Sequence, residues 1–194
     1  MGNIKSVGNA LNFIGSEYFI IEDEAGFKKA DKLILPGVGA FGKAMENLSS
    51  RNLVNPLTEA VLTDKKPLLG LCLGMQLLFE DSCEHGFHKG LGFIKGHVLA
   101  LADEVKNLPV PHMGWNNLRI ARENEIFNQE EDNDFYFVHS FYCKCDKAEN
   151  VLATVDYGVS ADVMVKEGNI FGCQFHPEKS QQNGLELMRN FCSL

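Results

Sequence analysis

Apolar residues at Ile4, Val7, Leu11 and Ile14 recur at helical spacing, which predicts an amphipathic helix over about residues 3–15 that stops at Gly15. Two short apolar runs follow, Tyr18–Ile21 and Leu33–Leu35, each read as a strand, the second leading into Pro36-Gly37-Val38-Gly39. A helical pattern spans about 41–63, a strand covers Leu68–Leu71, and another helix runs through Glu80. Strand alternating with helix in this way predicts an α/β fold with a mostly parallel central sheet and flanking helices. From about residue 93 the texture changes to short segments at His97–Leu101, Asn117–Ile120, Phe135–Tyr142, Val151–Val155, Ala161–Lys166 and Asn169–Phe175. A last helix is expected from about Gly184 to Cys192. This half predicts an antiparallel extension of the same sheet. No internal repeat or long linker divides the chain, so residues 1–194 read as one domain, with its ligands at the carboxyl ends of strands.

Composition adds mainly exclusions. A chain of 194 residues that is 45% hydrophobic and 23% charged is large enough and apolar enough for a proper core. A formal net charge of -8 argues against nucleic-acid and anionic-membrane partners, which select cationic surfaces. No apolar run approaches the roughly 18 residues of a membrane span, and no basic-then-apolar leader is seen, so a cytoplasmic protein is expected. The six cysteines contain no Cys-x-x-Cys pair, and Cys143-x-Cys145 is too closely spaced for a routine disulfide. His85 and His88 near Cys83 mimic a metal site, but Gly86 and Gly90 favour a surface loop there. No metal and no cofactor is expected.

The chemistry concentrates in two places. At Gly70-Leu71-Cys72-Leu73-Gly74 an apolar strand is cut by Gly-x-Cys-x-Gly and resumes with helix-forming residues, the pattern of a nucleophile elbow carrying cysteine. The alternative is a buried core cysteine between two glycine turns. A hundred residues later, Gln174-Phe175-His176-Pro177-Glu178 ends a strand with a histidine and a carboxylate two positions apart. In extended chain both side chains project to one side, and Pro177 stiffens the backbone between them. Glu178 then orients one imidazole nitrogen while the other faces a nucleophile, the wiring of a Cys-His-Glu triad. Taken alone, His-Pro-Glu is also compatible with an ordinary turn.

With these residues in view, the chain resembles class I glutamine amidotransferases, and among them the glutaminase subunits of imidazole glycerol phosphate synthases in histidine biosynthesis. Six ordered motifs carry the resemblance: Gly2-Asn3-Ile4-Lys5-Ser6-Val7, Leu35-Pro36-Gly37-Val38-Gly39-Ala40-Phe41, Gly70 to Leu78, Pro111-His112-Met113-Gly114-Trp115-Asn116, Tyr136 to Tyr142, and Gln174 to Ser180. It implies a flavodoxin-like fold and an enzyme that hydrolyses glutamine to glutamate and ammonia.

In that chemistry Cys72 is the nucleophile, His176 the acid and base, and Glu178 its orienting partner. The oxyanion hole is expected from the N–H of Leu73 and, in the Pro-Gly-Val-Gly loop, that of Val38. The resemblance further implies that Gly39, Gln76, Glu84 and the segment His139-Ser140-Phe141 hold the glutamine. Without it, Gln76 reads as a solvent-facing helix residue, Glu84 as part of a charged loop, and His139 as a hydrogen-bonded core histidine. The implied partner is a cyclase subunit with a (β/α)8 barrel, forming a heterodimer that receives the ammonia, and Met113 and Trp115 resemble residues of that interface. An amidotransferase serving another synthase, such as one aminating a surface sugar, shares the same motifs; a cysteine hydrolase and a non-catalytic interaction protein fit them less well. Members of the class begin with an apolar strand before the Gly-Asn-Ile motif, so the motif's start at Gly2 implies that a central strand is absent.

Overall fold

The chain alternates strand and helix up to residue 77 and then turns to short strands, and the computed structural model describes residues 3–128 and 133–194. Gly2, in the first motif, lies outside the described residues. Helix α1 (Ile4–Phe13) buries Val7, Ala10 and Leu11 and leaves Phe13 to solvent. The chain then runs without regular structure to α2 (Glu24–Lys29), whose first turn is capped by the Asp23 carboxylate accepting from Gly26 N at 3.0 Å. Strand β1 (Leu33–Gly37) leads to α3 (Phe41–Ser50) and α4 (Val54–Thr58), which is extended by a π turn over Glu59–Thr63. Strand β2 (Leu68–Cys72) and the short α5 (Leu73–Leu77) complete the first half.

The second half comprises β3 (Asp81–Ser82), β4 (His88–Lys89), β5 (Gly96–Ala100), α6 (Leu101–Glu104), β6 (His112–Asn117), β7 (Arg119–Ile120), β8 (Asp134–His139) and β9 (Phe141–Cys145). Strands β10 (Val151–Asp156), β11 (Ser160–Glu167) and β12 (Ile170–Cys173) precede the closing helix α7 (Gln181–Ser193). The main sheet runs β1-β2-β12-β11-β9-β5-β3-β4, with β10 and β7 continuing from β11. Strands β1, β2 and β12 are parallel, and β11 turns the sheet antiparallel. Every residue of β2 and β12 is buried, as expected for strands covered on both faces. One core layer packs α1 and α7 against the sheet through Leu11, Phe135, Phe175, Leu187 and Phe191; the other packs α3 to α5 through Phe41, Leu48, Val61 and Leu77.

Four local expectations are corrected. Tyr18–Ile21 is not a strand: among the described residues β1 has β2 as its one strand neighbour, and an apolar segment with no hydrogen-bonded partner does not form a ladder. Tyr18, Phe19 and Ile20 stay 44%, 52% and 58% exposed in consequence. The helical stretch 41–63 breaks at Arg51–Leu53, where Asn52 takes a left-handed φ of 56°. The helix after Cys72 stops at Leu77 rather than Glu80. The carbonyls of Leu77, Leu78, Phe79 and Glu80 accept instead from the N–H groups of Leu91, Ile94, Gly92 and Gly90. The run Phe135–Tyr142 is two strands broken at Ser140: β8 pairs with β6 in a separate two-stranded ribbon, while β9 joins the main sheet beside β5.

Candidate active site

Strand β2 delivers Cys72 to a turn where its φ is 53° and ψ −111°, a conformation that a residue bearing a Cβ adopts only when its surroundings impose it. The glycines on either side explain how the turn fits. A Cβ on Gly74 would lie 1.7 Å from the Leu35 carbonyl oxygen, and one on Gly70 would lie 2.7 Å from the Gly74 oxygen. The elbow is therefore pressed directly onto the end of β1. Register places Gly37 opposite Cys72, so Val38 follows beside Leu73. A Cβ on Gly37 would meet Gly74 N and Leu73 Cβ, each at 3.0 Å. A cavity of about 210 Å³ opens here between the loop Gly37–Ala40 and Leu73, and Gly39 has a φ of +100° that suits glycine.

Strand β12 lies beside β2 with Cys173 opposite Leu71, which carries the following residues to the same end of the sheet as Cys72. His176 N donates to Tyr136 O at 2.9 Å, and Pro177–Lys179 form a 3-10 turn that folds Glu178 back. The side chains of His176 and Glu178 are almost fully buried, and the imidazole Nδ1–H donates to Glu178 Oε1 at 2.8 Å. His176 Nε2 and Glu178 Oε2 have no hydrogen-bond partner among the described residues. Burial alone lowers the His176 pKa, but Cys72 and Glu178 outweigh it and raise it to about 9. Glu178 is raised by burial, yet its bonds with His176 and Asn3 bring it below the usual carboxylate value. The site thus joins the cysteine, the imidazole and the carboxylate that the two motifs predicted.

The other expected residues are placed as follows. Gln76 is buried, not solvent-facing, and its Nε2 donates to Phe141 O and to Gln174 Oε1, both at 3.1 Å. Glu84 accepts from Phe41 N at 2.6 Å and so satisfies the start of α3 directly after the Gly39 loop. His139 is a hydrogen-bonded core histidine, with Nδ1 donating to Phe141 O at 2.9 Å and Nε2 paired with His112 Nδ1 at 3.0 Å. Ser140 marks the break between β8 and β9. Met113 and Trp115 are 62% and 49% exposed on the ribbon, and Trp115 stands edge-on to Tyr136 at 6.0 Å. His85 and His88 belong to no group of metal-ligating side chains among the described residues. The group that does form, Glu80, His97 and Asp146, is explained by ion pairs of Glu80 with Lys95 and of His97 with Asp81.

Two residues of the site carried no role in the sequence reading. Asn3 Nδ2 donates to Glu178 Oε1, which ties the start of α1 to the carboxylate. Gln174 Nε2 lies 3.8 Å from Cys72 Sγ. Both stand inside motifs, but neither has intrinsic catalytic chemistry, so only their placement reveals them.

The chain belongs to the class-I glutamine amidotransferase family, whose model it matches over residues 9–193. Its relatives are more particular. It is 49% identical over 193 residues to imidazole glycerol phosphate synthase subunit HisH 2 of Vibrio vulnificus, covering 98% of this chain and 89% of that protein. It is 47% identical over 194 residues to subunit HisH 1 of Campylobacter jejuni, with 100% and 96% covered, and 48% identical over 190 residues to the HisH subunit of Listeria monocytogenes, with 98% and 90% covered. Solved structures share the fold. A crystal structure of a glutamine amidotransferase superposes with a TM-score of 0.73 at 19% identity, covering 99% of this chain and 93% of that one. The glutaminase domain of Trypanosoma brucei CTPS gives 0.64 at 14% identity, with 97% and 85% covered.

Proposed function

We propose that this single-domain chain is the glutaminase subunit of an imidazole glycerol phosphate synthase, working in the cytoplasm as a heterodimer with a cyclase subunit built as a (β/α)8 barrel. The observation that carries the reading is the meeting of Cys72, on its strained turn, with the buried His176–Glu178 pair, in a chain 47–49% identical to HisH subunits.

The side-chain amide of glutamine is a weak electrophile, so the site must supply a nucleophile, a proton donor and a place for negative charge. His176 Nε2 takes the Cys72 proton as Sγ attacks the amide carbon. The amide oxygen gains the charge and is stabilised by the N–H groups of Leu73 and Val38. His176 then gives its proton to the departing nitrogen, releasing ammonia and leaving a glutamyl thioester. A water molecule, deprotonated by His176, attacks the thioester; glutamate leaves and the thiol is restored. Glu178 keeps the proton on Nδ1, so Nε2 remains the working nitrogen. Gly39, Gln76, Glu84, Ser140 and Phe141 frame the glutamine, with His139 behind them, bonded to the Phe141 carbonyl. Met113 and Trp115 offer an aromatic and sulfur-rich face to the partner.

The test is Cys72→Ser in complex with the cyclase. Glutamine-dependent synthesis is expected to vanish while synthesis from added ammonium salts continues at alkaline pH. Loss of both activities together would show that Cys72 is structural.

A further inference from the structure

A buried line of hydrogen bonds leads away from the nucleophile. Gln174 Nε2 lies at Cys72 Sγ, Gln174 Oε1 accepts from Gln76 Nε2, and Gln76 Nε2 also donates to Phe141 O. That carbonyl accepts a second bond from His139 Nδ1, whose other nitrogen meets His112 Nδ1 at 3.0 Å. Asn116 Nδ2, 3.3 Å from His112 Nε2, completes the line near the surface.

The direction of every bond is determined. A carbonyl oxygen only accepts, so His139 carries its proton on Nδ1, and its Nε2 must then accept from His112 Nδ1–H. His112 in turn accepts at Nε2 from the Asn116 amide. Both imidazoles are neutral in this arrangement, and a proton added to His139 Nε2 would point at the N–H of His112. Burial acts the same way, lowering His112 to about 4 and His139, with help from His112 and His176, to about 3. His112 is clamped as well by ring stacking on Tyr157 at 4.0 Å and on Phe137 at 4.7 Å.

We infer that His112 and His139 are positioning residues for the glutaminase reaction: as a one-way pair of neutral donors they fix the Phe141 carbonyl, and through Gln76 and Gln174 they hold the Cys72 thiol in its attacking orientation. Neither touches the reacting atoms. The inference rests on the glutaminase reading, and it gives the β6–β8 ribbon a second connection to the site besides the bond that Tyr136 O, on β8, accepts from His176 N.

Asparagine and glutamine separate the two nitrogens of a histidine. An Asn amide sits where Nδ1 was and keeps the inward donation; a Gln amide reaches the Nε2 position and loses it. His139→Asn and His112→Asn are therefore expected to keep kcat within about twofold of the parent, whereas His139→Gln and His112→Phe lower kcat by about five- to tenfold with KM for glutamine unchanged. His112→Phe preserves the stacking, which separates the donor from the ring. Equal activity of the Asn and Gln variants at position 139, whether both parental or both reduced alongside equal losses of melting temperature, overturns the proposal. Nitrogen-15 spectra of the imidazoles provide an arm that needs no turnover: a proton on His139 Nε2 would refute the line of bonds. An inactive parent protein with the proton found on Nδ1 would count against the glutaminase reading alone.

Discussion

Replacing Gly74 by alanine tests how closely the nucleophile turn depends on the strand it rests against. The new methyl carbon would lie 1.7 Å from the Leu35 carbonyl oxygen and 2.8 Å from its carbon. Reaching even 3.0 Å from that oxygen requires β1 and α5 to part by about 1.3 Å, since both contacts are rigid backbone. Overpacking of this kind costs about 1–3 kcal/mol, and for a chain of this size each kcal/mol is roughly 2–4 °C of melting temperature. A drop of roughly 2–12 °C is therefore expected. The functional loss is expected to exceed that, because the same movement separates Val38 from Leu73, and a displacement near 1 Å in a catalytic constellation costs up to about a hundredfold. Gly90→Ala is the control. Its methyl would meet Phe79 O at 2.2 Å, an overpacking in the loop that follows the elbow helix, away from Cys72. Calorimetry and steady-state glutaminase assays on both variants decide the matter: both should melt earlier, but Gly74→Ala alone should lose tenfold or more in kcat. Equal kcat values in the two variants would refute the idea that the β1 contact shapes the site.

Two further outcomes follow from the geometry. Because His176 is raised to about 9 from an ordinary 6.5, its contribution to stability is full below about pH 6.5 and lost as pH rises through 9; Glu178, lowered, contributes above its ordinary 4.5 and is lost on acidification. Glu178→Gln removes one of the causes that raise His176, so the decline between pH 6.5 and 9 should shrink and shift to lower pH in thermal melts; superimposable profiles would contradict the pairing. Among the described residues no strand pairs with the outer side of β1, and this edge, together with exposed Phe13, Tyr18, Phe19 and Ile20, predicts edge-to-edge association. A fused apolar segment of about five to eight residues ahead of α1 should raise the melting temperature and suppress association, as measured by light scattering, and no change in either would show that this edge is already satisfied.

The placement of Cys72, His176 and Glu178 was legible because the motifs are local: Gly-x-Cys-x-Gly encodes a turn, and His-Pro-Glu keeps its two side chains together, although through a 3-10 turn over Pro177–Lys179 and not the extended chain expected. The alternation of strand and helix up to Cys72 was legible for the same reason. Strand β6 was not recognised, since its pattern is inverted; His112 and Asn116 point inward while Met113 and Trp115 face solvent. Its polar interior makes sense only once His139 is known to lie opposite. Tyr18–Ile21 misled in the other direction, because strand propensity says nothing about whether a neighbour exists to pair with. The break at Ser140 is equally a property of the whole fold: one continuous apolar run serves two sheets, and the division is set by β6 and β5, which lie elsewhere in the chain.

The position of β12 between β2 and β11 has a consequence for the order in which the molecule comes into being. The strand bearing the nucleophile has β1 on one side from the start but gains β12 on the other only after about a hundred further residues have been made, and Gln174 lies 102 positions beyond Cys72. Contacts of such long span form late, because closing the intervening loop must precede any gain from pairing. A nascent chain thus carries its thiol through most of synthesis with neither imidazole nor carboxylate beside it. Catalytic competence arrives almost with the last turn of the protein, so unfinished chains release no ammonia where nothing is ready to receive it.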